Sequence, residues 1–155
     1  MNFEEAFERL IGHEGGYTAG VGDPGGETKF GISKRSYPSE DIKGLTLERA
    51  KAIYRKDFWS AAAVDGLPDA IKFDVFDTAV NSGVGTAVRM VQKAVGVQTD
   101  GVLGPVTLKA CNSMPSTRLI ARFNGARLMF MADLSIWPSF GRGWARRVAS
   151  NLLAT

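Results

Sequence analysis

Cysteine and histidine are almost absent from this chain of 155 residues. Cys111 is the only cysteine, so an intramolecular disulfide is excluded, and we predict that it is a small buried hydrophobic residue. His13 is the only histidine, which rules out an HExxH zinc motif and leaves no Cys/His cluster for structural zinc. A Ser–His–Asp triad would have to use His13, and no serine lies in a nucleophile-elbow motif. We therefore expect neither a metal nor a cofactor.

Long apolar runs are also missing. No stretch approaches the roughly 20 apolar residues of a membrane-spanning helix. The segment MNFEEAFERL is acidic where a signal peptide has a basic start and an apolar stretch, so we expect the protein to be cytoplasmic at synthesis. With 45% hydrophobic and 23% charged residues, the composition is that of a soluble globular protein. The length fits one compact domain over residues 1–155, which we expect to be a monomer.

Charge is spread unevenly along the chain. The formal net charge is +3, but the segment from Ser116 onward has six arginines against the single acid Asp133, a local balance of +5. Such a basic segment favours an anionic partner, which can be a nucleic acid, a membrane surface or an acidic wall polymer. Because the segment lacks a basic–aromatic nucleic-acid module, we do not expect nucleic acid to be the partner.

The spacing of apolar residues predicts a mainly α protein. Phe3, Phe7 and Leu10 recur at helical spacing, which predicts a helix over 2–13 that ends before Gly15-Gly16. Residues 15–33 hold seven glycines and one proline, a composition typical of a small irregular β-hairpin. Further helices are predicted from the N-cap Thr46 to about Trp59, from Pro68 to Asn81, and over 85–95, 104–112, 116–134 and 140–153.

Glu14 is the strongest candidate for a catalytic residue. It ends a helix whose apolar face fixes it to the core, and the glycines after it leave room for a bulky ligand. The negative end of the helix dipole would help to keep its carboxyl group protonated, as an acid that cleaves glycosidic bonds requires. The hairpin that follows bears Asp23, Glu27 and Thr28, which can supply the second group of such a reaction. The alternative is that Glu14 is an ordinary solvated carboxylate beside a helix cap.

Several sequence blocks resemble one known family. The segment EGGY…DPGGETKFGIS, which runs from Glu14 to Ser33, resembles the signature of the glycoside hydrolase 108 family of N-acetylmuramidases, found in phage endolysins and prophage lysis cassettes. The blocks FDTAVNSG, VQKAVGV, DGVLGPVTL and GWARRV resemble later parts of the same family in the same order. The chain departs from the family pattern at Gly20, where many members have an additional aspartate.

The resemblance implies a fold and a division of the chain. It implies a single lysozyme-like domain, mainly α with a small β-hairpin near the N-terminus. Residues 1–83 would form the catalytic helix–hairpin part, and residues 84–155 would resemble the family's peptidoglycan-binding region.

The resemblance also implies an activity. The protein would be a phage or prophage endolysin that cleaves peptidoglycan between N-acetylmuramic acid and N-acetylglucosamine and reaches the wall through a holin. Glu14 would protonate the glycosidic oxygen, and Asp23 or Thr28 would position water or stabilise the developing positive charge. The residues expected to contact the substrate are Tyr17, Glu27, Lys29 and Asn81.

Other interpretations remain open at this point. A lytic transglycosylase also uses one dominant glutamate, and a non-catalytic wall-binding or secretion accessory protein would bind walls without cleaving them. The block from Gln92 through Asp100-Gly101 to Thr107 is either a wall-binding unit or simply a turn followed by a helix start.

The last predicted helix is basic. Arg142, Arg146 and Arg147 either are solvated charges on a docking helix or attract the protein to anionic wall or outer-membrane polymers. Trp144 lies between these arginines in the sequence and, like Trp59 and Trp137, either stacks on sugar rings or belongs to the core.

Overall fold

The computed structural model describes residues 1–12, 16–22 and 24–155. The described part is mainly α with one small antiparallel hairpin, as predicted. The α-helices are α1 (Phe3–Ile11), α2 (Leu47–Tyr54), α3 (Asp69–Ser82), α4 (Val84–Val95), α5 (Pro105–Ser113), α6 (Ser116–Ala132) and α7 (Trp137–Leu153). The strands are β1 (Thr28–Lys29) and β2 (Ile32–Ser33), and a π-helical segment (Arg55–Ser60) and a 3-10 turn (Val64–Gly66) follow α2. Within the described residues, every helix is too short or too polar to cross a lipid bilayer.

The residues group into two compact units, Met1–Asp57 and Phe58–Thr155. The first unit contains α1, the hairpin and α2, and the second contains α3 to α7. The assignment of residues 1–155 to one domain stays a prediction.

Helix α1 is fixed at its start by a capping box. The Asn2 side chain accepts a hydrogen bond from the Glu5 backbone N–H at 3.0 Å, and the Glu5 carboxylate accepts one from the Asn2 backbone N–H at 2.9 Å. Its apolar residues recur along one face and are buried: Phe3, Ala6, Phe7 and Leu10. The helix that precedes Glu14 in the sequence is therefore held both at its start and along its length.

Helix α2 is the second fixed element of the first unit. Thr46 is its N-cap, as predicted, and its side chain accepts a hydrogen bond from Arg49 N at 3.1 Å. The buried ring of Tyr54 meets Phe7 edge-on at 5.6 Å between centroids. Its hydroxyl donates to the carbonyl oxygen of Phe30 at 2.8 Å. Because Phe30 lies in the turn of the hairpin, this bond connects α2 to the hairpin.

The turn of the hairpin consists of Phe30 and Gly31. Both have positive φ angles, 50° and 75°, which is the backbone of the tight turns that match the twist of paired strands. Glycine adopts this conformation readily, whereas phenylalanine does so at a cost. The hydrogen bond from Tyr54 to the Phe30 carbonyl stabilises the turn in this conformation.

Helix α3 is the most deeply buried element of the second unit. Every residue from Phe73 to Ala79 is buried, which fits a helix packed on several sides, and α4 and α6 both pack against it. Trp59 contacts Phe76 edge-on at 5.4 Å, and its indole N–H donates to Asp65 at 2.9 Å. Trp59 is therefore a core residue.

Several helix boundaries differ from the expected ones, and the helix expected over 2–13 ends at Ile11, with Gly12 as its C-cap. The helix expected over 140–153 begins at Trp137, because Pro138 is tolerated in the first turn, where its missing N–H breaks no helical bond. The helix expected to continue to about Trp59 is α-helical only to Tyr54 and then widens into the π-helical segment. Apolar spacing alone does not distinguish these two kinds of helix.

Candidate functional site

Two of the predicted catalytic residues, Glu14 and Asp23, lie outside the described residues. The structure does describe the chain around them. Helix α1 ends at Ile11 with Gly12 as its C-cap, and Glu14 follows Gly12 by two positions in the sequence. The catalytic roles of Glu14 and Asp23 stay predictions.

Thr28, the third predicted catalytic residue, lies in the middle of the β structure. Its backbone pairs with Thr18 on one side, through bonds of 2.8 and 3.0 Å, and with Ser33 on the other. Directly opposed residues of antiparallel strands project from the same face, so Thr18, Thr28 and Ser33 form a row of three hydroxyl side chains. The Thr28 hydroxyl is 3.4 Å from the Gly26 carbonyl oxygen, longer than an ordinary hydroxyl hydrogen bond.

Tyr17 and Glu27, two of the predicted substrate contacts, are brought together. The Tyr17 hydroxyl donates to the Glu27 carboxylate at 2.9 Å. This hydrogen bond raises the pKa of Tyr17, because ionising the phenol would remove the donor and place two negative charges side by side. Tyr17 therefore stays a neutral hydrogen-bond donor, and it fixes one oxygen of Glu27.

The side chain of Lys29, another predicted substrate contact, makes two contacts within the first unit. Its ammonium group donates to the Lys43 carbonyl oxygen at 3.2 Å and lies 5.5 Å from the centre of the Phe30 ring. Thr28 and Lys29 are consecutive in β1, so their side chains project to opposite faces. A substrate that contacts the hydroxyl side chains on one face of β1 would therefore not contact Lys29, which projects from the other face.

Gly20 has a structural reason to be glycine. Its φ angle is +71°, and a Cβ atom at this position would overlap with the carbonyl group of Gly26. An aspartate at this position is therefore incompatible with this loop conformation. The sequence from residue 14 to residue 33 itself contains three carboxylates, Glu14, Asp23 and Glu27.

Asn81, the remaining predicted substrate contact, is an exposed residue of the second unit, near the end of α3. With its amide oxygen turned to the two nearby arginines, it accepts hydrogen bonds from Arg147 Nε at 3.1 Å and from Arg127 Nη2 at 3.3 Å. Cationic donors require an acceptor, so they fix which end of the amide faces them. The amide N–H groups of Asn81 consequently point away from the arginines.

The two arginines are held by a buried carboxylate, which sequence reasoning missed. Asp77 is 1% exposed and accepts from Arg127 Nη2 at 2.8 Å, from Arg147 Nε at 2.8 Å and from the Asn151 amide at 3.1 Å. Burial raises the pKa of Asp77, but the hydrogen bond from Arg147 and the charges of Arg127 and Arg147 outweigh burial, so the pKa is lowered overall. The signal was present in the sequence: Asp74, Asp77 and Asn81 recur at helical spacing among the apolar residues of one helix.

The predicted basic surface of the last helix is corrected at one position. Arg147 pairs with the buried Asp77 and is therefore not available as a solvated surface charge. Arg142 and Arg146 are exposed, and their attraction to anionic polymers stays a prediction.

The buried side chain of Gln92 makes hydrogen bonds that connect α4 to the turn at Asp100-Gly101. The Gln92 amide donates to Asp100 at 2.7 Å and to the Val102 carbonyl at 2.9 Å, and its oxygen accepts from Gly101 N at 2.9 Å. Asp100 in turn accepts from Val102 N at 2.9 Å. The Asp100-Gly101 turn is thus fixed by folding contacts, which gives this motif a structural function whether or not it also binds the wall.

Comparison with known proteins places these features in a family. The family model described as Glycosyl hydrolase 108 matches residues 7–83, and the model described as Predicted Peptidoglycan domain matches residues 86–149. A solved structure titled Structure of Brucella abortus SagA has a TM-score of 0.87 and 36% sequence identity, and the match covers 96% of this chain and 90% of that chain. No curated protein matches the chain significantly.

The two family matches define the class of protein, a glycoside hydrolase that acts on peptidoglycan. The chain belongs to the glycosyl hydrolase 108 family. Its mainly α, lysozyme-like fold with a small hairpin is the predicted one.

Proposed function

We propose that the protein is an N-acetylmuramidase, which hydrolyses the glycan strand of peptidoglycan between N-acetylmuramic acid and N-acetylglucosamine. One observation supports this above the others. The Glycosyl hydrolase 108 match spans residues 7–83, and this segment includes Glu14, soon after the firmly packed α1, and the polar hairpin. Glycoside hydrolysis needs an acid and a second polar group, and Glu14 and the hairpin residues offer both.

In the proposed reaction, Glu14 gives its proton to the glycosidic oxygen as the bond from that oxygen to the anomeric carbon of N-acetylmuramic acid breaks. Positive charge develops on the sugar ring, and water adds to the anomeric carbon and passes a proton to the carboxylate of Asp23 or to the carboxylate that Glu14 has become. Asp23 or Thr28 supplies the second group. A hydroxyl both donates and accepts hydrogen bonds, so Thr18 and Thr28 are suited to orienting water, whereas the Ser33 hydroxyl already bonds to Ser36.

Tyr17 and Glu27 are proposed to bind the substrate as a pair. The neutral phenol holds one oxygen of the carboxylate at 2.9 Å, which gives Glu27 a defined orientation. An oriented carboxylate accepts hydrogen bonds from sugar hydroxyl groups. Glu27 would then contribute to binding, while Glu14 contributes the proton.

The test is a pair of matched substitutions assayed on purified peptidoglycan. Glu14→Gln removes the acid and should lower the cleavage rate by about 10²–10⁴-fold, the usual effect of losing a general acid. Glu27→Gln makes the same chemical change and should mainly weaken binding. If both folded variants lose the same fraction of the rate, or if Glu14→Gln keeps near-normal activity, the assignment of Glu14 is wrong.

The second group is tested by separating binding from turnover. Asp23→Ala and Thr28→Ala should reduce the rate of cleavage more than the amount of protein that pellets with insoluble walls. The variant with the larger effect on the rate identifies the second group. Equal losses in both measurements would mean that the residue in question serves folding or binding.

The biological role that we propose is that of a phage or prophage endolysin that reaches the wall through a holin. Expression inside a Gram-negative host should leave cells intact until the inner membrane is permeabilised, for example by chloroform or a co-expressed holin, and should then cause rapid lysis. Lysis without permeabilisation would contradict this route.

A further inference from the structure

The second unit contains a cavity whose function nothing above explains. It has a volume of about 170 Å³ and lies between the last residues of α3, the end of α6 and the start of α7. Pockets for drug-sized ligands measure roughly 300–1,000 Å³, so this one has room for a single ring-sized group.

One edge of the cavity is polar. Asn81 and Ser82 line it at the end of α3. Because Arg147 and Arg127 bind the amide oxygen of Asn81, its N–H groups point away from the arginines and can donate to a ligand oxygen. Asp77 forms ion pairs with both arginines and holds them in place. The arginines in turn keep the Asn81 amide in this orientation.

The rest of the cavity lining is apolar and includes an aromatic ring. Trp144 and Ile136 both line it. The Trp144 ring is half-buried and stacks against Phe140, with centroids 5.8 Å apart and planes only 22° from parallel. Trp137 lies against the same ring at 6.1 Å. The indole is therefore fixed in place before any ligand arrives.

A cavity lined by both an aromatic ring and an amide donor is complementary to a pyranose ring that bears an acetamido group. Such a ring has an apolar face of C–H bonds that stacks on an aromatic surface, and its rim carries hydroxyl and carbonyl oxygens that accept hydrogen bonds. The peptidoglycan-domain match includes Ile136 and Trp144, which supports a sugar of the wall over an unrelated ring.

We propose that this cavity is a saccharide-binding subsite that takes one N-acetylhexosamine ring of the glycan strand. The ring stacks on Trp144, and Asn81 donates a hydrogen bond to its acetamido carbonyl oxygen. This inference rests on the proposed function, because it presumes a glycan substrate, but it concerns binding and not cleavage.

The experiment follows the indole N–H signals of the three tryptophans by NMR in the ¹⁵N-labelled full chain. It uses the Glu14→Gln background to prevent turnover. Chitobiose, a disaccharide of N-acetylglucosamine, should shift the Trp144 signal saturably, while the buried Trp59 serves as an internal reference. Cellobiose has the same linkage without acetamido groups and should bind at least tenfold more weakly.

Two substitutions test the cavity itself. Asn81→Asp keeps oxygen atoms facing the arginines but removes the N–H donors, so it should weaken chitobiose binding at least tenfold in a folded protein. Ser82→Leu places a larger side chain in the cavity without touching the arginines and should abolish the shift, which keeps the test decisive if Asn81→Asp does not fold. The control is Thr86→Val, in a neighbouring cavity of similar volume, about 160 Å³. It should bind like the background.

The proposal is overturned if chitobiose leaves the Trp144 signal unchanged, if cellobiose binds equally well, or if the cavity variants bind like the control. It is also overturned if the Trp144 signal shifts with protein concentration alone, since a second copy of the chain would then occupy this surface. Failure of the proposed function is seen separately, as the absence of new N-acetylmuramic acid reducing ends when the parent protein is incubated with peptidoglycan.

Discussion

Replacing Asp77 by asparagine should strongly destabilise the second unit. Asp77 accepts hydrogen bonds from the side-chain N–H groups of Arg127, Arg147 and Asn151. Asparagine has nearly the same shape, but it removes the negative charge and turns an amide N–H group toward at least one of these donors. The change therefore tests the charge and the hydrogen bonds while leaving the volume of the side chain almost constant.

The size of the effect follows from the burial of Arg127. Its side chain is 1% exposed, and among the described residues its Nε and Nη1 atoms have no hydrogen-bond partner. Asp77 is thus the main group that compensates its charge. Breaking a buried ion pair by removing one partner costs about 3–5 kcal/mol, because an uncompensated buried charge remains.

Urea unfolding followed by tryptophan fluorescence measures this loss. All three tryptophans of the chain lie in the second unit, so the signal reports on the unit that contains Asp77. The matched control is Asp69→Asn in the first turn of the same helix, where Asp69 is 72% exposed and one of its partners, Lys72, is 2.9 Å away. A carboxylate that is mostly exposed to water contributes little through its ion pairs, so the control should unfold almost like the parent.

The difference between Asp77→Asn and the parent should also depend on pH. The lowered pKa of Asp77 in the folded protein means that its carboxylate stabilises the fold above the pKa it has when unfolded, about 4. This contribution is lost as the pH falls through the folded-state pKa. We expect a constant difference between pH 5 and 8 and a shrinking one in stronger acid. If Asp77→Asn unfolds at the same urea concentration as Asp69→Asn, the ion pair does not stabilise the unit as argued.

Three further predictions concern other parts of the chain. Gly20→Ala should lower stability by more than Gly22→Ala, because both positions have positive φ but only Gly20 has no space for a Cβ atom; equal thermal shifts would contradict this. Cys111 should resist thiol reagents at pH 8 until urea unfolds the chain, because burial raises the pKa of its thiol to about 11; rapid labelling of the native protein would contradict it. Replacing Arg142 and Arg146 by glutamine should weaken wall binding at low salt and flatten its salt dependence with little change in stability, and unchanged binding at every salt concentration would remove the targeting function.

The sequence predicted the helices well because their signals are local. Thr46 marks the start of α2 by its own side chain, and the spacing of Phe3, Phe7 and Leu10 predicts which face of α1 is buried. These features depend on neighbours within a few positions. They can therefore be read before the tertiary structure is known.

The features that the sequence did not predict are long-range. The pairing of Asp77 with Arg127 and Arg147 joins residues 50 and 70 positions apart, so a basic cluster in the sequence could not reveal that one of its arginines turns inward. The row of Thr18, Thr28 and Ser33 depends on strand register, which a one-residue slip would abolish. The candidate site was thus predicted as a set of residues, and its internal connections required the structure.

The central claim is most directly tested by identifying the sugar end that the protein creates in purified peptidoglycan. The digest is reduced with borohydride, and the soluble fragments are analysed by mass spectrometry. A muramidase must produce fragments that end in reduced N-acetylmuramic acid, and Glu14→Gln must produce almost none. Fragments ending in 1,6-anhydro-N-acetylmuramic acid would show a lytic transglycosylase, a reduced N-acetylglucosamine end would show cleavage of the other bond, and wall binding without any new end would contradict an enzymatic function.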